Sequence, residues 1–371
     1  MIEGQHKGNP FRTVRYIPSV DEILSIAFKQ VKTFRIKPPK KKQKREDSIA
    51  TLERERITKL TEIISSKLLE INTQFPWIED IHPFYIELCD LIGSTDKIKR
   101  ILGRIVGVVN QIKEIEKEQL SKIKLTDHPL EMAKIRKEAS GRIASLVKKT
   151  RGDINYLIRI IKKLKAIPDF NVTYPTIVIA GAPNVGKSSL VRKISTGKPE
   201  VGEYPFTTKQ IFFGHRDLTI ANIQIVDTPG LLDRPFKERN VIERQSIASM
   251  RYISDIIIFI FDISKDATIK LEEQINLFED IEKQFSNVPI IKVLNKIDIL
   301  SEEEIEKGKS AFKTEFQIST KDTSSLNNLI FKLEEEIKNI IKTAEKFKES
   351  KKMIVSKEFL PIKEEEINYE F

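Results

Sequence analysis

The chain has a single cysteine, Cys89, among its 371 residues. No intrachain disulfide can form, and no cysteine metal cluster can exist. Histidine is scarce too: the four residues His6, His82, His128 and His215 are scattered and lack metal-ligand spacing. No apolar run approaches the ~18 residues of a membrane span, and the longest unbroken one is Ile256–Phe261. The first residues, MIEGQHKG, hold no apolar stretch of the signal-peptide kind. Disulfide-scaffold, membrane-spanning and secreted classes are therefore set aside. A cytoplasmic protein with no membrane partner is the expectation.

Glycine is sparse in the first part, with seven residues before position 171 out of 14 in the chain. Charge is plentiful but uneven. The net charge is +10, yet residues 1–170 hold 35 basic and 22 acidic side chains, whereas the remainder holds 29 and 32. All the positive excess therefore lies in the first part. It suggests a polyanionic partner on that side; a solvated Lys-rich helical surface and a membrane-binding surface are the alternatives.

That first part reads as helices. Ser19 and Glu22 form a capping-box pattern opening a helix to about Val31. Pro38 and Pro39 then interrupt, within a basic run that includes Lys40 to Arg45 and reads as a linker or an arm. Apolar stripes at helical spacing follow: Ile57, Leu60, Ile64, Leu68 and Ile71, then Ile98, Ile101, Ile105, Val108, Ile112 and Ile115. Residues 75–92 read as a turn and a short buried helix. One further helix is expected from about Glu131 to Ala166, bent at Gly141 or Gly152. The sum is an antiparallel helical bundle over 1–170.

From about residue 171 the period shortens. Apolar runs at 176–180, 210–215, 222–227, 255–262, 288–295 and 315–319 read as strands. Helical stretches separate most of them, so a mostly parallel sheet covered on both faces is expected over 171–345. The short link 215–221 makes one neighbouring pair an antiparallel hairpin at a sheet edge. A charged tail is expected over 346–371.

The chemistry sits on the loops after these strands. Gly181-Ala182-Pro183-Asn184-Val185-Gly186-Lys187-Ser188 is GxxxxGKS between a strand and a helix, the context of a P-loop. Backbone N–H groups of this loop and of the helix start, through Ser189, are expected to cradle phosphates. Lys187 would reach the β- and γ-phosphates and the Ser188 hydroxyl would bind Mg²⁺. Asn295-Lys296-Ile297-Asp298 follows a later strand. The Asp298 carboxylate can accept from guanine's ring N–H and amine, donors that adenine lacks at those positions. Adenine would leave that carboxylate unpaired. Lys296 can lie over the purine, and Asn295 can tie this loop to the P-loop.

Asp227-Thr228-Pro229-Gly230 also follows a strand. Asp227 would hold the Mg²⁺ shell through water, and the Gly230 N–H would sense the γ-phosphate. Between the two motifs, Phe206, Thr207 and Thr208 belong to YPFTTK, with Thr208 the expected Mg²⁺ ligand. Ser319 and Thr320 follow the last strand and can offer backbone donors to guanine's carbonyl oxygen. In this order the five segments form the set of a Ras-like GTPase, which converts GTP to GDP and phosphate. Leu231 stands where a Ras-type enzyme has its water-orienting Gln, so slow intrinsic hydrolysis is expected. Asn184 is the residue type that holds K⁺ in related GTPases, so K⁺ stimulation is a candidate property.

Several strings resemble a known family. The YPFTTK pattern is similar to the Obg class of GTPases. FTTKQIFFGH (206–215), DTPGLLDRPFKERN (227–240), IERQSIA (242–248) and FPWIEDIHPFY (75–85) resemble its nucleolar GTP-binding (Nog-type) family. With its last strand soon followed by the end of the sequence, the chain looks like the short archaeal form. The resemblance implies assembly of the large ribosomal subunit, with the helical domain on rRNA and the G domain as a switch, as a monomer off the ribosome. Lys148, Lys149, Arg151, Arg159, Lys162 and Lys163, with the arm at 40–45, are the candidate RNA contacts. The competing readings are a GTPase acting on another, tRNA-related RNA, or one working at a membrane surface.

Overall fold

The computed structural model describes residues 8–35, 45–197, 200–203, 210–219, 221–228, 230 and 232–354. They fall into two compact units. One runs to Val172 and also takes in, among the described residues, Gly202–Glu203 and Val241–Tyr252; the other begins at Thr173 and holds the sheet apart from the end of its edge strand.

The first unit is helical. Helix α1 (Val20–Thr33) opens on the expected capping box: the Ser19 hydroxyl accepts from the Glu22 N–H, and Glu22 accepts from the Ser19 N–H at 2.7 Å. Helices α2 (Arg45–Gln74), α3 (Pro83–Gly93) and α4 (Thr95–Lys124) follow. At 30 residues each, α2 and α4 are about 45 Å long. In α3, Pro83 takes the first position, where its missing N–H costs nothing, and His82 Nδ1 accepts from the Phe84 N–H at 3.3 Å. His82 is thus a capping residue.

The single helix expected over 131–166 is two, α5 (Pro129–Lys149) and α6 (Arg151–Ala166). Neither glycine makes the break. Thr150 does, with φ −84° and ψ 0° and its hydroxyl donating to the Val147 carbonyl at 2.7 Å. That local bond satisfies an end carbonyl of α5 and competes with helix continuation.

Helices α2, α4 and α5 pack on one another, and α1 lies against α2. The predicted stripes are the core: Ile57, Ile64, Leu68, Ile98, Ile105 and Ile112 are fully buried. Each such side chain contributes about 1.5–3 kcal/mol. Polar side chains fix the ends of this unit. Buried Asn9 donates to the carbonyls of Leu164 (2.9 Å) and Ile167 (2.8 Å), and accepts from the Phe11 N–H. The buried Tyr85 hydroxyl lies 3.1 Å from the Pro168 carbonyl and 3.2 Å from that of Phe170.

The second unit carries β1 (Thr176–Gly181), α7 (Lys187–Ile194), β2 (Glu200–Glu203), β3 (Gln210–Asp217) and β4 (Asn222–Asp227). After α8 (Val241–Ala248), which belongs to the helical unit, come β5 (Ile256–Phe261), α9 (Leu271–Gln284), β6 (Ile290–Leu294), α10 (Glu302–Phe312), β7 (Phe316–Gln317) and α11 (Thr323–Ile354). The strand order is β2-β3-β4-β1-β5-β6-β7. β4, β1, β5, β6 and β7 run parallel, with Ile177 beside Ile225 on one side and Ile256 on the other. β3 is antiparallel to β4, and β2 lies outside it. β1 and β5 are buried along their whole length, as strands covered on both faces must be.

α11 extends through 346–354. The rest of the expected tail lies outside the described residues. No described helix is long and apolar enough to cross a membrane.

In the helical unit α8 and the turn Ser249–Tyr252 pack on α3. Arg251 and the Tyr252 hydroxyl face Glu87 there. Burial pushes the Glu87 carboxyl up, and those two partners oppose it.

Candidate functional site

In an open parallel sheet, ligands bind beyond the carboxyl ends of the strands. Here β1, β4, β5 and β6 all end on residues that carry chemistry: the P-loop, Asp227, Asp262 and Asn295. The apolar runs place them, because each run stops at the polar residue that leaves the core.

The P-loop turns sharply after β1. Gly181 has φ +136° and Gly186 φ +102°, conformations that L side chains rarely adopt. A Cβ on Gly186 would also collide with the Asn295 amide. Asn184 is left-handed too, at φ 61°, which asparagine tolerates better than most residues. Its amide donates to the Thr268 hydroxyl at 3.1 Å. Lys187 is buried and donates to the carbonyls of Gly181 (2.8 Å) and Ala182 (2.6 Å). Burial pushes its ammonium down; Asp233, then Asp227, hold it up. Val185 is buried, Pro183 and Ser188 are half-buried, and Ser189 is exposed.

Asp227 is fully buried, and neither carboxylate oxygen has a hydrogen-bond partner of good geometry. Burial pushes its carboxyl up, opposed first by the nearby Ser188 hydroxyl and then by Lys187. A buried carboxylate left so is costly unless a cation joins it. One carboxylate and one hydroxyl, both hard oxygen donors, suit Mg²⁺, whose remaining positions go to phosphates and water. No cluster of three His, Cys, Asp or Glu side chains able to hold a metal exists among the described residues. Thr228 is buried and donates to the Ile179 carbonyl at 2.8 Å, binding this loop to β1. The Gly230 N–H donates to Asp233 Oδ2 at 2.8 Å, and its carbonyl accepts from Arg239 Nη1 at 3.1 Å. Phe206, Thr207, Thr208, Pro229 and Leu231 lie outside the described residues.

The base loop is tied down at three points. Asn295 donates from Nδ2 to the Val185 carbonyl at 2.8 Å, which fixes the base loop to the P-loop as expected. Lys296, at φ 61°, donates to Asp262 Oδ2 at 2.5 Å. Asp298 accepts from the Ser319 hydroxyl and from Lys321 Nζ, both at 2.8 Å. Lys321 first, then Ser319, holds the Asp298 carboxyl below its ordinary range. Ser319 is buried beneath the loop, and Thr320 is half-buried beside it.

Four residues of this region escaped the sequence reading: Asp262, Lys321, Asp233 and Arg239. Asp262 could have been found, since it ends a strand as Asp227 and Asn295 do. Lys321 directly follows the Ser319-Thr320 pair. Nothing in the local pattern marks Asp233 or Arg239.

The candidate RNA contacts are divided. Arg151 is paired with Asp21 at 2.5 Å. Lys148, Lys149, Arg159, Lys162 and Lys163 are exposed, with no ion pair to a described residue. Lys97 Nζ lies 4.2 Å from the centre of the Tyr156 ring, and the Arg159 guanidinium 5.7 Å from it, which brings cations of α4 and α6 together. The arm at 40–45 lies outside the residues whose side chains are described.

Residues 11–171 match the family model described as the NOG1 N-terminal helical domain, and residues 176–296 match that of the 50S ribosome-binding GTPase. The chain is similar to nucleolar GTP-binding protein 1 of Drosophila melanogaster, 36% identical over 251 residues, which are 68% of this chain and 38% of that protein. It is similar to the Saccharomyces cerevisiae protein of that name, 32% identical over 66% of this chain and 38% of the other. It is also similar to the uncharacterized protein MJ1408 of Methanocaldococcus jannaschii, 33% identical over 81% of this chain and 84% of that one. The match thus spans well under half the length of the fly and yeast proteins.

Proposed function

The chain belongs to the nucleolar GTP-binding protein family, and from that premise we propose that it is a GTP-binding and GTP-hydrolysing switch in assembly of the large ribosomal subunit. The observation that carries the nucleotide half of this reading is the Asn295–Val185 bridge. It ties a phosphate-cradling loop to a loop that presents the ionised Asp298 carboxylate. A triphosphate purine held by both must offer donors to Asp298, and guanine does. Lys187 would move from its loop carbonyls to the β- and γ-phosphates, neutralising charge that grows on them during transfer. Asp227, Ser188 and Thr208 would hold Mg²⁺, which supplies Lewis-acid stabilisation when bound.

Hydrolysis would be slow without a partner, because Leu231 cannot orient water. Asn184 donates its amide to Thr268, which leaves its carbonyl oxygen to offer K⁺; equal hydrolysis rates in K⁺ and Na⁺ would remove that idea. The helical unit would meet rRNA through phosphate contacts from Lys148, Lys149, Arg159, Lys162 and Lys163, supported by the positive excess of the first 170 residues. The protein would act in the cytoplasm, as a monomer when off the ribosome.

The test is co-sedimentation with large ribosomal subunits and their precursors, with a non-hydrolysable GTP analogue or GDP, at two salt concentrations. The expected result is binding favoured by the analogue that falls steeply with salt, as counterion release requires. No binding in either state would overturn the ribosomal reading and leave the GTPase reading standing.

A further inference from the structure

The Gly230 peptide is clasped from both sides. Its N–H donates to Asp233 Oδ2 at 2.8 Å and its carbonyl accepts from Arg239 Nη1 at 3.1 Å. The clasp is a built feature. Arg239 is only 5% exposed, and its Nη2 lies 3.4 Å from the Arg234 carbonyl and 3.6 Å from Asp233 Oδ1. The Asp233 carboxylate therefore occupies the one donor expected to sense the γ-phosphate, the Gly230 N–H.

We propose that Asp233 sets the preference between GTP and GDP: its carboxylate stands in for the γ-phosphate, and GTP must displace it where GDP need not. This rests on the reading of the site as a guanine-nucleotide site. The physical reason is competition. A backbone N–H is one donor, and two anions drawn to the same donor repel each other. GDP carries no γ-phosphoryl group and leaves the clasp closed. With GTP, the Asp233 carboxylate gives up Gly230 and turns to Arg239, the buried cation already beside its other oxygen. The clasp lowers GTP affinity relative to GDP, and it makes the position of the 232–239 segment depend on the γ-phosphate.

The test uses the full chain with Mg²⁺. Affinities for GDP and for a non-hydrolysable GTP analogue are measured by fluorescence titration for the wild type, Asp233→Ala and Asp233→Asn. In Asp233→Ala the ratio of analogue to GDP affinity rises about tenfold, the scale of one hydrogen bond to a charged acceptor, while GDP affinity stays within about twofold. Asp233→Asn, which keeps the shape and removes the charge, moves the ratio in the same direction. Retained GDP binding shows that the pocket is folded. If Asp233→Ala loses GDP binding through misfolding, the Asp233→Asn ratio decides. A ratio that stays level or falls in the folded variant overturns the proposal. If neither nucleotide binds the wild type, the guanine-nucleotide reading fails and takes this proposal with it.

Discussion

Asp298→Asn is the sharpest probe of how the base is read. The Ser319 hydroxyl donates to Asp298 Oδ1 at 2.8 Å and Lys321 donates to Oδ2 at 2.8 Å. Ser319 is 1% exposed and cannot turn away, whereas the Lys321 side chain is 77% exposed and can. The amide of the variant therefore keeps its oxygen toward Ser319 and puts its NH₂ where Oδ2 was. Guanine then meets a donor where it needs an acceptor. One hydrogen bond to a charged acceptor is lost, about 1.5–3 kcal/mol, and opposed donors are left unpaired, about 1–3 kcal/mol more. The sum, about 2.5–6 kcal/mol, is a loss of about 10²–10⁴ in GDP affinity. Xanthine carries a carbonyl in place of guanine's amine, so the same NH₂ finds a partner. Competition between GDP and XDP for the wild type and the variant reads both effects. GDP affinity within about threefold of wild type, or a loss of GDP with no gain of XDP, would refute the argument.

Other perturbations test the helical unit and the caps. Asn9→Ala removes three hydrogen bonds, two of them to the carbonyls of Leu164 and Ile167, of which Leu164 keeps the Ile167 N–H; it should destabilise the helical unit by about 2–4 kcal/mol in a denaturant titration followed by circular dichroism. Gly141→Ala should raise stability by about 0.5–1 kcal/mol. Gly141 is exposed mid-helix and a Cβ there meets nothing within 4 Å; a loss of stability would contradict that account. Glu304 closes the capping box of α10, and the Ser301 N–H it accepts from holds its carboxyl below the ordinary value. Its contribution is present above the unfolded pKa and is lost as pH falls through the folded one. The protection factors of the α10 amides, with the intrinsic pH dependence of exchange divided out, should therefore fall on acidification, and Glu304→Gln should blunt that response.

Six of the seven described strands were legible because each is an apolar run ending at a polar residue. β2, with the sequence EVGE, has no such run; it lies at the sheet edge. The break at Thr150 was misread because glycine is the expected helix breaker. Gly141 and Gly152 add no steric demand, while the threonine hydroxyl supplies an alternative bond to the backbone. In the site, a motif names residues whose atoms a nucleotide would touch, so Lys187, Asp227, Asn295 and Asp298 could be listed in advance. Asp262, Lys321, Asp233 and Arg239 support those residues through contacts that only the folded chain creates. Asp233 illustrates the limit: it lies three residues from Gly230, yet nothing in DTPGLLDR says that the carboxylate turns back to that N–H.

The clasp also bears on why a helical unit and a GTPase share one chain. Beyond Arg239, which holds the Gly230 carbonyl, α8 begins at Val241, and α8 packs on α3 within the helical unit. The contact is electrostatic as well as apolar. Arg251 and Tyr252 face half-buried Glu87, while Ile247 and Met250 are fully buried. A clasp that opens with the γ-phosphate changes the anchor of the segment leading into α8, and α8 cannot shift without altering its fit to α3. A differential interaction of about 1.4 kcal/mol at Gly230 suffices to move a two-state equilibrium tenfold. Hydrogen exchange measured with GDP and with the GTP analogue should therefore differ at α8 and at α3 together, and Asp233→Ala should shift the GDP pattern toward the GTP one. Exchange that changes in α8 alone would cut the link at the α3 contact. Exchange that changes in neither helix would confine the clasp to nucleotide preference and leave the helical unit without a path to the γ-phosphate.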